Sequence, residues 1–352
     1  MKKLLAFDDV LLIPKFNYVE SRADVNLESN FLGLNLRLPI FSANMDSVTE
    51  SKMAAAMSKV GGVGCLHRFQ DIESNIKMFD DSVDLMAQNH YPINKPFVSI
   101  GLGSNEFERA LALEEAGATH FVIDVAHGAS MAVVKQYDRL RSSLKTNAVI
   151  IVGNFANAQS IKDFNHHVKS SKRPEAFKVG IGGGSVCSTR IVTGCGSPTF
   201  GSVLDCVSSG VDVIADGGIR NSGDIAKCLG AGARAVMVGS LLAGSSETPG
   251  EIFYTQNGEY LDEPGYKIYR GSASSDSYKS QNKVANHRTA EGVSRKVEYK
   301  GSTLDILQNL EAGVRSAFTY VGASDLVSFR EYAEFSEITS NGLTENHPHG
   351  LK

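Results

Sequence analysis

The sequence has no tryptophan, few cysteines and no long apolar segment, and each shortage excludes a class of protein. Its 352 residues include five cysteines, an odd number without CxxC pairs, which argues against a zinc site or a disulfide framework and for a reducing compartment. No stretch approaches the roughly 20 apolar residues that span a bilayer, and Asp8 and Asp9 interrupt the apolar start before a signal-peptide core forms. We therefore expect a cytoplasmic protein with no membrane partner.

An excess of one charge is also lacking. The chain has 35 Lys and Arg against 39 Asp and Glu, a formal net charge of -4, so there is no general electrostatic reason to bind nucleic acid. A hydrophobic content of 42% is that of an ordinary globular protein with a sizeable core. A small anionic ligand is compatible with this charge, because a local basic patch is enough to hold a phosphate.

Eight short apolar runs, rich in Val and Ile, recur along the chain, and a stretch with helical periodicity follows each. Apolar runs without alternation are typical of strands covered on both faces. Eight strand–helix units in series predict an α/β fold, a (β/α)8 TIM barrel. A doubly wound sheet is the alternative, but its glycine fingerprint should follow an early strand, and here the richest loop follows the sixth. The predicted strands are 39–42, 63–66, 97–101, 120–124, 148–153, 177–181, 211–216 and 235–239.

Two of the intervening helices carry clear boundary signals. Ser104 is the predicted N-cap of one helix, which Gly117 ends, and Ser222 is the predicted N-cap of another, which Gly230 and Gly232 close. Serine favours the first position because its hydroxyl accepts from a free backbone N–H, and glycine favours the last because it adopts a left-handed conformation. These signals support helices between the strands.

The strand–helix pattern fails from about residue 251 to 299, where the chain is polar and rich in Asn, Ser, Lys and Gly. A long irregular insertion in a compact barrel is usually a functional lid or disordered. We therefore predict a mobile flap after the eighth strand. Helical periodicity returns over residues 304–315.

The chain is expected to form a single catalytic domain over residues 1–340. Residues 341–352 read as a disordered tail, because they are polar and lack periodicity. His347 and His349 in this tail resemble a metal pair, but terminal tails are commonly just solvated. We expect no metal there.

Glycines after the seventh and eighth predicted strands indicate a phosphate site. In a TIM barrel the loops at these positions commonly hold a phosphate through backbone N–H groups. Gly217 and Gly218 follow one strand, and Gly239 and Ser240 begin the other loop; each loop taken singly could be only a tight turn. Asp216 would repel a phosphate, whereas a ribose diol offers two hydroxyl donors to a carboxylate. A purine or pyrimidine nucleoside monophosphate is therefore the predicted ligand.

Five longer motifs are specific enough to suggest a family. They are "GIGGGSVCSTRIVTGCGSP" from residue 180, "DVAHG" from 124, "ADGGIRNSGDIAK" from 215, "GSLLAG" from 239 and "YRGSAS" from 269. Together they resemble the IMP dehydrogenase and GMP reductase family from about Phe7 to Ala323. The cysteine loop is highly specific, whereas the DGG element is shared with FMN-dependent barrels. The resemblance implies a purine monophosphate substrate, a nicotinamide cofactor and a homotetramer.

The resemblance also implies that Cys187 attacks C2 of the purine and forms a covalent intermediate. The chemistry agrees, because a thiol is a strong nucleophile near neutral pH and a glycine-rich loop lets it reach the ring. A buried structural cysteine is the commoner case and suits Cys206 and Cys228. The family's potassium ion would be held by the backbone carbonyls of Gly182, Gly184 and Cys187.

Two reactions compete within this family. IMP dehydrogenases oxidise IMP with NAD and hydrolyse the intermediate, whereas GMP reductases expel ammonia from GMP and deliver hydride from NADPH. Most dehydrogenases carry a pair of regulatory CBS modules inserted in the barrel, and residues 68–97 leave no room for them. This absence favours the reductase, although some dehydrogenases also lack the modules.

Two features of the predicted flap also favour the reductase. Dehydrogenases usually have an Arg-Tyr pair whose arginine activates water, and here Ser277 stands in place of that arginine. The segment from Arg288 to Gly292 resembles the reductase pattern Arg-x-x-Glu-Gly, which implies that Glu291 and Thr189 handle the proton as ammonia leaves. We interpret the chain as a GMP reductase.

Three alternatives stay open. "SANMDSVTE" and "GGVGCLHRF" look nearer to the dehydrogenase, so an IMP dehydrogenase without CBS domains is the main one. An FMN-dependent barrel oxidoreductase would use the same phosphate loops. A catalytically silent nucleotide sensor is disfavoured, because a sensor has no need of a nucleophile.

The resemblance assigns the remaining site residues by position. Ser21 and Arg22 would contact the adenosine end of NADPH in the neighbouring subunit, and Asp124 would lie near the nicotinamide. The implied catalytic residues are Cys187, Thr189 and Glu291. The implied substrate-binding residues are Ser185, Asp216, Gly217, Gly218, Gly239, Ser240, Tyr269, Gly271, Ser272, Ala273, Arg288 and Gly292. The implied cofactor-binding residues are Ser21, Arg22, Asp124, Val125, Ala126, Ser316 and Thr319.

Overall fold

In the computed structural model, which describes residues 3–90, 94–254, 265–274 and 289–346, eight parallel strands close into a barrel. The strands in chain order are β1 (Val10–Leu12), β2 (Ser29–Phe31), β3 (Leu34–Leu36), β4 (Ile40–Ser42), β5 (Val63–Leu66), β6 (Phe97–Ile100), β7 (His120–Asp124), β8 (Val149–Phe155), β9 (Ala176–Val179), β10 (Val213–Asp216), β11 (Ala235–Val238), β12 (Tyr266–Arg270), β13 (Ser294–Glu298) and β14 (Phe335–Glu337).

Strands β4 to β11 form the barrel, each beside its neighbour in sequence, and β11 closes on β4 with Met237 opposite Phe41. All eight predicted strands are present within about two residues of their predicted positions. The TIM barrel prediction is confirmed. Its physical basis is burial on both faces, since every residue of β5, β6, β9 and β11 is buried.

One end of the barrel is filled by aromatic packing. Phe97 contacts Phe41 edge to face at 5.2 Å and stacks on His120 at 4.5 Å between ring centroids. The hairpin of β2 and β3 packs on this end, and the Leu32 carbonyl lies 2.9 Å from Nε2 of His120. The strands begin at this end, so a ligand site is left to the opposite, carboxyl end of the barrel.

The helices pack around the outside of the barrel. Two predicted caps are wrong: Ser104 is the first helical residue after Gly103, and Asn221 rather than Ser222 accepts from the Asp224 N–H, at 2.8 Å. Asn221 has the extended backbone that aims its side chain at that N–H. The helices are α1 (Ser51–Lys59), α2 (Ile72–Gln88), α3 (Ser104–Glu115), α4 (Met131–Ser143), α5 (Ala158–His167), α6 (Thr189–Thr193), α7 (Thr199–Val207), α8 (Ser222–Gly230), α9 (Thr303–Val321), α10 (Leu326–Tyr332) and α11 (Ser340–Glu345).

The two segments with predicted irregular structure are only partly described. Strands β12 and β13 form an antiparallel pair within the predicted flap, and residues 255–264 and 275–288 lie outside the described residues. In the predicted tail α11 is helical up to Glu345, and His347 and His349 lie outside the described residues. Across the described part of the chain no helix is both long and apolar enough to cross a membrane.

Candidate active site

A cavity of about 840 Å³ lies at the carboxyl ends of the barrel strands. This is the position where TIM barrels carry their sites. Its walls are the residues that follow the strands, the cysteine loop after β9, and the segments 271–273 and 289–291. Most of the predicted substrate and catalytic residues line this one cavity.

The three predicted catalytic side chains form a hydrogen-bonded chain. Cys187 Sγ lies 3.1 Å from Thr189 Oγ1, and Thr189 Oγ1 donates to Glu291 Oε2 at 2.8 Å. Thr189 begins α6 and is buried, whereas Cys187 is half-buried and faces the cavity. A thiol, a hydroxyl and a carboxylate in contact can pass a proton along the chain.

Backbone hydrogen bonds hold these residues together although they come from distant parts of the sequence. Ser188 N donates to Glu291 O at 2.8 Å, and Val293 N donates to Val186 O at 2.9 Å. Glu291 N in turn donates to Ala273 O at 3.0 Å. The cysteine loop, residues 291–293 and residues 271–274 therefore form one layered unit over the cavity.

Glycine is required where these backbones approach most closely. Gly180 has a φ of +144°, and a Cβ there would overlap the Asp216 carbonyl oxygen. A Cβ on Gly271 would lie 3.0 Å from the Val186 carbonyl oxygen. The close contact between loop and strand ends thus explains part of the loop's glycine content.

The predicted phosphate residues converge on one wall of the cavity. Ser185, Gly218 and Ser240 all line it, and so does Tyr269 from β12. Tyr269 is buried, and burial raises its pKa to about 12, so its hydroxyl stays a hydrogen-bond donor near neutral pH. A Cβ on Gly239 would lie 3.0 Å from that hydroxyl oxygen, so a larger residue there would press against the tyrosine.

A buried lysine links two carboxylates that line the same cavity. Lys178 Nζ on β9 lies 2.8 Å from Asp124 Oδ1 and 2.7 Å from Asp216 Oδ2. Asn154 Nδ2 donates to the same Asp216 oxygen at 2.8 Å. The four residues stand on four consecutive barrel strands, β7 to β10. The pair of carboxylates can accept hydrogen bonds from ribose hydroxyls while the lysine offsets their charge.

The pKa values of this buried group shift in the directions that keep it ionised. Burial alone raises the pKa of Asp124, but the adjacent Lys178 ammonium outweighs burial and lowers that pKa below its ordinary value. Burial alone lowers the pKa of Lys178, but Asp124 and Asp216 outweigh it and raise the pKa above its ordinary value. The site therefore holds the Asp124 carboxylate and the Lys178 ammonium in fixed positions.

The remaining predicted residues fall into three groups. Val125, Ala126, Gly217, Ser272 and Gly182 line the cavity with Asp124, Gly184, Gly271 and Ala273. Gly292 pairs with Cys187 and Ser274 in the backbone layer. Arg288 lies outside the described residues.

Four predicted cofactor residues lie away from the cavity, on the outer surface. Ser21 caps a single 3-10 turn by accepting from Ala23 N at 3.2 Å, and this turn packs on α9, where Arg315 donates to Arg22 O at 3.4 Å. The other two predicted cofactor residues of this region, Ser316 and Thr319, are on α9. The structure brings these four together with one another and not with Cys187.

The predicted potassium site depends on backbone carbonyls. Within residues 3–90, 94–254, 265–274 and 289–346, no three His, Cys, Asp or Glu side chains are grouped to hold a metal ion. The Gly184 carbonyl accepts from Cys187 N at 3.0 Å, which leaves it a second lone pair. Gly182 has a left-handed φ of +78° beside it. The site stays a prediction.

Sequence reasoning missed several side chains that line the cavity. Lys178, Asn154, Asn44, Arg68 and Phe69 all face it. For Lys178 a signal existed, because a lysine inside an apolar strand of "AFKV" is buried only when a carboxylate pairs with it. Arg68 and Phe69 follow β5 and carried no pattern of their own.

Comparison with known proteins shows what the chain is similar to. Residues 4–349 match the model of the IMP dehydrogenase / GMP reductase domain. The chain is 34% identical to an inosine-5'-monophosphate dehydrogenase of Cryptosporidium parvum, with 99% of this chain and 96% of that protein covered. It is 30% identical to the enzyme of that name from Nitrosopumilus maritimus, with 99% of each chain covered.

The solved structures provide a different relative. The chain is similar to a GMP reductase from Trypanosoma brucei, a cysteine-to-alanine variant crystallised with guanosine 5'-monophosphate. The TM-score is 0.87 at 26% identity, with 100% of this chain and 99% of that chain covered. The relatives found by sequence are thus dehydrogenases by name, whereas the relative found by structure is a reductase by name.

Proposed function

The chain belongs to the IMP dehydrogenase / GMP reductase family, and we propose that it is a GMP reductase that uses NADPH. The observation that carries the proposal is the contact between Thr189 and Glu291 at 2.8 Å beside the Cys187 thiol. Ammonia leaves carbon far more readily when its nitrogen is protonated, and this chain places a proton donor next to the nucleophile. Reductive deamination needs that donor.

The first half of the reaction is addition and loss of ammonia. The Cys187 sulfur forms a bond to C2 of GMP, and its proton passes through Thr189 to Glu291. Glu291 then returns a proton to the amino nitrogen, the bond from C2 to nitrogen breaks, and ammonia leaves. The purine remains attached to Cys187 as a covalent thioimidate.

The second half replaces sulfur with hydrogen at C2. Bound NADPH supplies the hydride, after which the bond from sulfur to C2 breaks and IMP is released. Overall, GMP, NADPH and two protons give IMP, NADP+ and ammonium. Asp124, held by Lys178, lines the cavity with Val125 and Ala126 and is predicted to lie near the nicotinamide of the cofactor.

The preference for NADPH rests on the surface group around Arg22. The Arg22 side chain is exposed and can make a charge-assisted contact with the extra phosphate of NADPH. Because Ser21, Arg22, Ser316 and Thr319 lie away from their own cavity, they would serve the cavity of a neighbouring subunit in a homotetramer. A potassium ion on the carbonyls of the cysteine loop completes the proposal.

An IMP dehydrogenase without CBS modules is the second candidate. The names of the sequence relatives favour it, since the C. parvum protein is 34% identical and is a dehydrogenase by name. In that case the same cysteine would attack IMP, NAD would accept the hydride, and water would release XMP. The Thr189–Glu291 contact would then have another role.

A four-way assay separates the candidates. Purified protein is given GMP or IMP, each with the reduced or oxidised forms of NAD and NADP, and the nicotinamide absorbance is followed. We expect consumption of NADPH with GMP and one ammonia released per NADPH. Formation of NADH from IMP and NAD would replace the proposal with the dehydrogenase, and nucleotide binding without any turnover would overturn both.

A further inference from the structure

A second cavity, of about 250 Å³, adjoins the predicted phosphate site. Gly183, Ser185, Gly218 and Ser240 line both cavities. A phosphate held by these residues therefore sits at the junction, with one side toward the purine and the other toward the second cavity. The volume is several times the roughly 30 Å³ that one water occupies in the liquid, so a further phosphate group has room.

The second cavity contains donors suited to such a group. Thr199 Oγ1 is buried, with the residue only 4% exposed, and it has no hydrogen-bond partner within the described parts of the chain. It points at the glycine loop, because a Cβ on Gly183 would lie 2.5 Å from it. Arg190 and Arg220 also line the cavity. A buried hydroxyl without a partner is uncommon, which points to a polar occupant.

Asp8 is already hydrogen-bonded to one of these donors, Arg220. The Arg220 guanidinium donates to both Asp8 carboxylate oxygens, from Nη1 at 2.9 Å and from Nη2. Asp224 accepts from Arg220 Nε at 3.2 Å on the other side, so the single Arg220 guanidinium is paired with two carboxylates. Phe7, next to Asp8, is anchored because its carbonyl accepts from Lys227 Nζ at 2.8 Å. The Asp8 carboxylate is thus a fixed part of the cavity's outer wall.

We propose that Asp8 is a specificity-determining residue that restricts the site to nucleoside monophosphates. A nucleoside diphosphate bound with its α-phosphate at the junction would place its β-phosphate in the second cavity. There it would meet the Asp8 carboxylate, and Arg220 would already be paired. Like charges placed together repel each other, so the diphosphate would bind more weakly than the monophosphate. This inference rests on the proposed function for the location of the first phosphate.

The test compares GMP with GDP on the full-length protein by calorimetric titration. We expect wild type to bind GMP much more tightly than GDP, and Asp8→Asn to narrow the ratio of the two dissociation constants at least about tenfold, because Arg220 is freed for the β-phosphate. In the double variant Asp8→Asn/Arg220→Gln the gain for GDP should disappear. If Asp8→Asn does not fold, Asp8→Ser is used for the same comparison of GMP and GDP binding.

Asp9→Asn is the matched control. Asp9 is adjacent, and its carboxylate accepts from Ala6 N at 2.7 Å, but it does not line the second cavity. In Asp9→Asn the ratio of the GMP and GDP dissociation constants should equal that of wild type. The inference is overturned if the ratio of the GMP and GDP dissociation constants stays within twofold of wild type in both Asp8 variants, or if the gain in GDP affinity survives the loss of Arg220. In either case, a protein that still binds GMP and turns it over leaves the proposed function intact. Failure of wild type to bind GMP or IMP would remove both.

Discussion

The carboxylates at the strand ends and the thiol in the loop face the same cavity, but different kinds of structure position them. Asp124, Lys178 and Asp216 belong to barrel strands, and Lys178 is 4% exposed between its two partners. Cys187 and Glu291 lie on irregular segments, and Thr189 begins the short helix α6; a few backbone hydrogen bonds join these segments. In the proposed function, the barrel would provide the rigid binding wall and the loops the reacting groups.

Because of this difference, we expect substitutions at the strand ends to affect the stability of the fold and substitutions in the loops to affect the reaction. A buried ion group is costly to break, because removing one member leaves an uncompensated charge. A half-buried loop side chain can be exchanged with little effect on the core. Within one family, therefore, the loops can change the reaction while the strand ends keep the nucleotide in place. Variants in the two regions should differ accordingly.

The largest effect on rate is expected at the loop. Cys187→Ala should lower turnover at least about 10⁴-fold, because it removes the nucleophile, while GMP still binds and the melting temperature stays near wild type. Turnover is measured by NADPH absorbance and binding by titration. Cys195→Ala is the control, since that cysteine is exposed eight residues further on. Normal activity in Cys187→Ala would refute the covalent mechanism.

The largest effect on stability is expected at the strand ends. Lys178→Met should lower the free energy of unfolding by about 3–5 kcal/mol, because Asp124 and Asp216 lose their buried counter-charge, and it should weaken GMP binding as well. Denaturant unfolding measures the first effect. Lys172→Met, which breaks a pair between the half-exposed Lys172 and the less exposed Glu175, should cost at most about 1 kcal/mol, and Lys178→Arg should restore part of the loss.

The Lys178 effect should also depend on pH. Lys178 lowers the pKa of Asp124, so the stability from this carboxylate is present above its unfolded pKa of about 3.9 and is lost as pH falls through the lower folded value. The difference between wild type and Lys178→Met should therefore shrink in acid. A difference that is constant down to pH ~2 would show that the ion pair is not its source.

A smaller effect on rate is expected at Glu291. Glu291→Gln should slow ammonia release at least about tenfold, because an amide cannot return the proton, and general acid–base catalysis is commonly worth roughly 10²- to 10⁴-fold. Ammonia is measured in a single turnover with excess protein. Glu298→Gln, on the exposed part of β13, is the control. An unchanged rate would remove Glu291 from the mechanism and weaken the case for a reductase.

The smallest effect is expected where strand and loop meet the phosphate. Tyr269→Phe should weaken GMP binding by about threefold to tenfold, the usual value of one hydrogen bond. Since burial raises the pKa of Tyr269 to about 12, the hydroxyl remains protonated and the ratio of the two affinities should be constant from pH ~7 to ~10. A decrease in this ratio between pH ~7 and ~10 would contradict the burial of the hydroxyl.

Local pattern predicted most of the fold and part of the site. The eight strands and the phosphate glycines follow from apolar runs and turns, which depend on neighbouring residues. The caps at Ser104 and Ser222 were wrong because two adjacent residues could each serve, and only the backbone angles choose between them. The sequence did not predict the role of Lys178, because its partners Asp124 and Asp216 are on other strands.

The amino-acid sequence by itself determined the barrel and gave the prediction of a nucleophile in the cysteine loop, since both depend on contiguous residues. Only the tertiary structure decided which groups meet there. Thr189 and Glu291 are 102 residues apart, and Asp8 and Arg220 are 212 apart. Such contacts depend on how the barrel closes and how the later segments cross its mouth, and no local periodicity encodes that geometry.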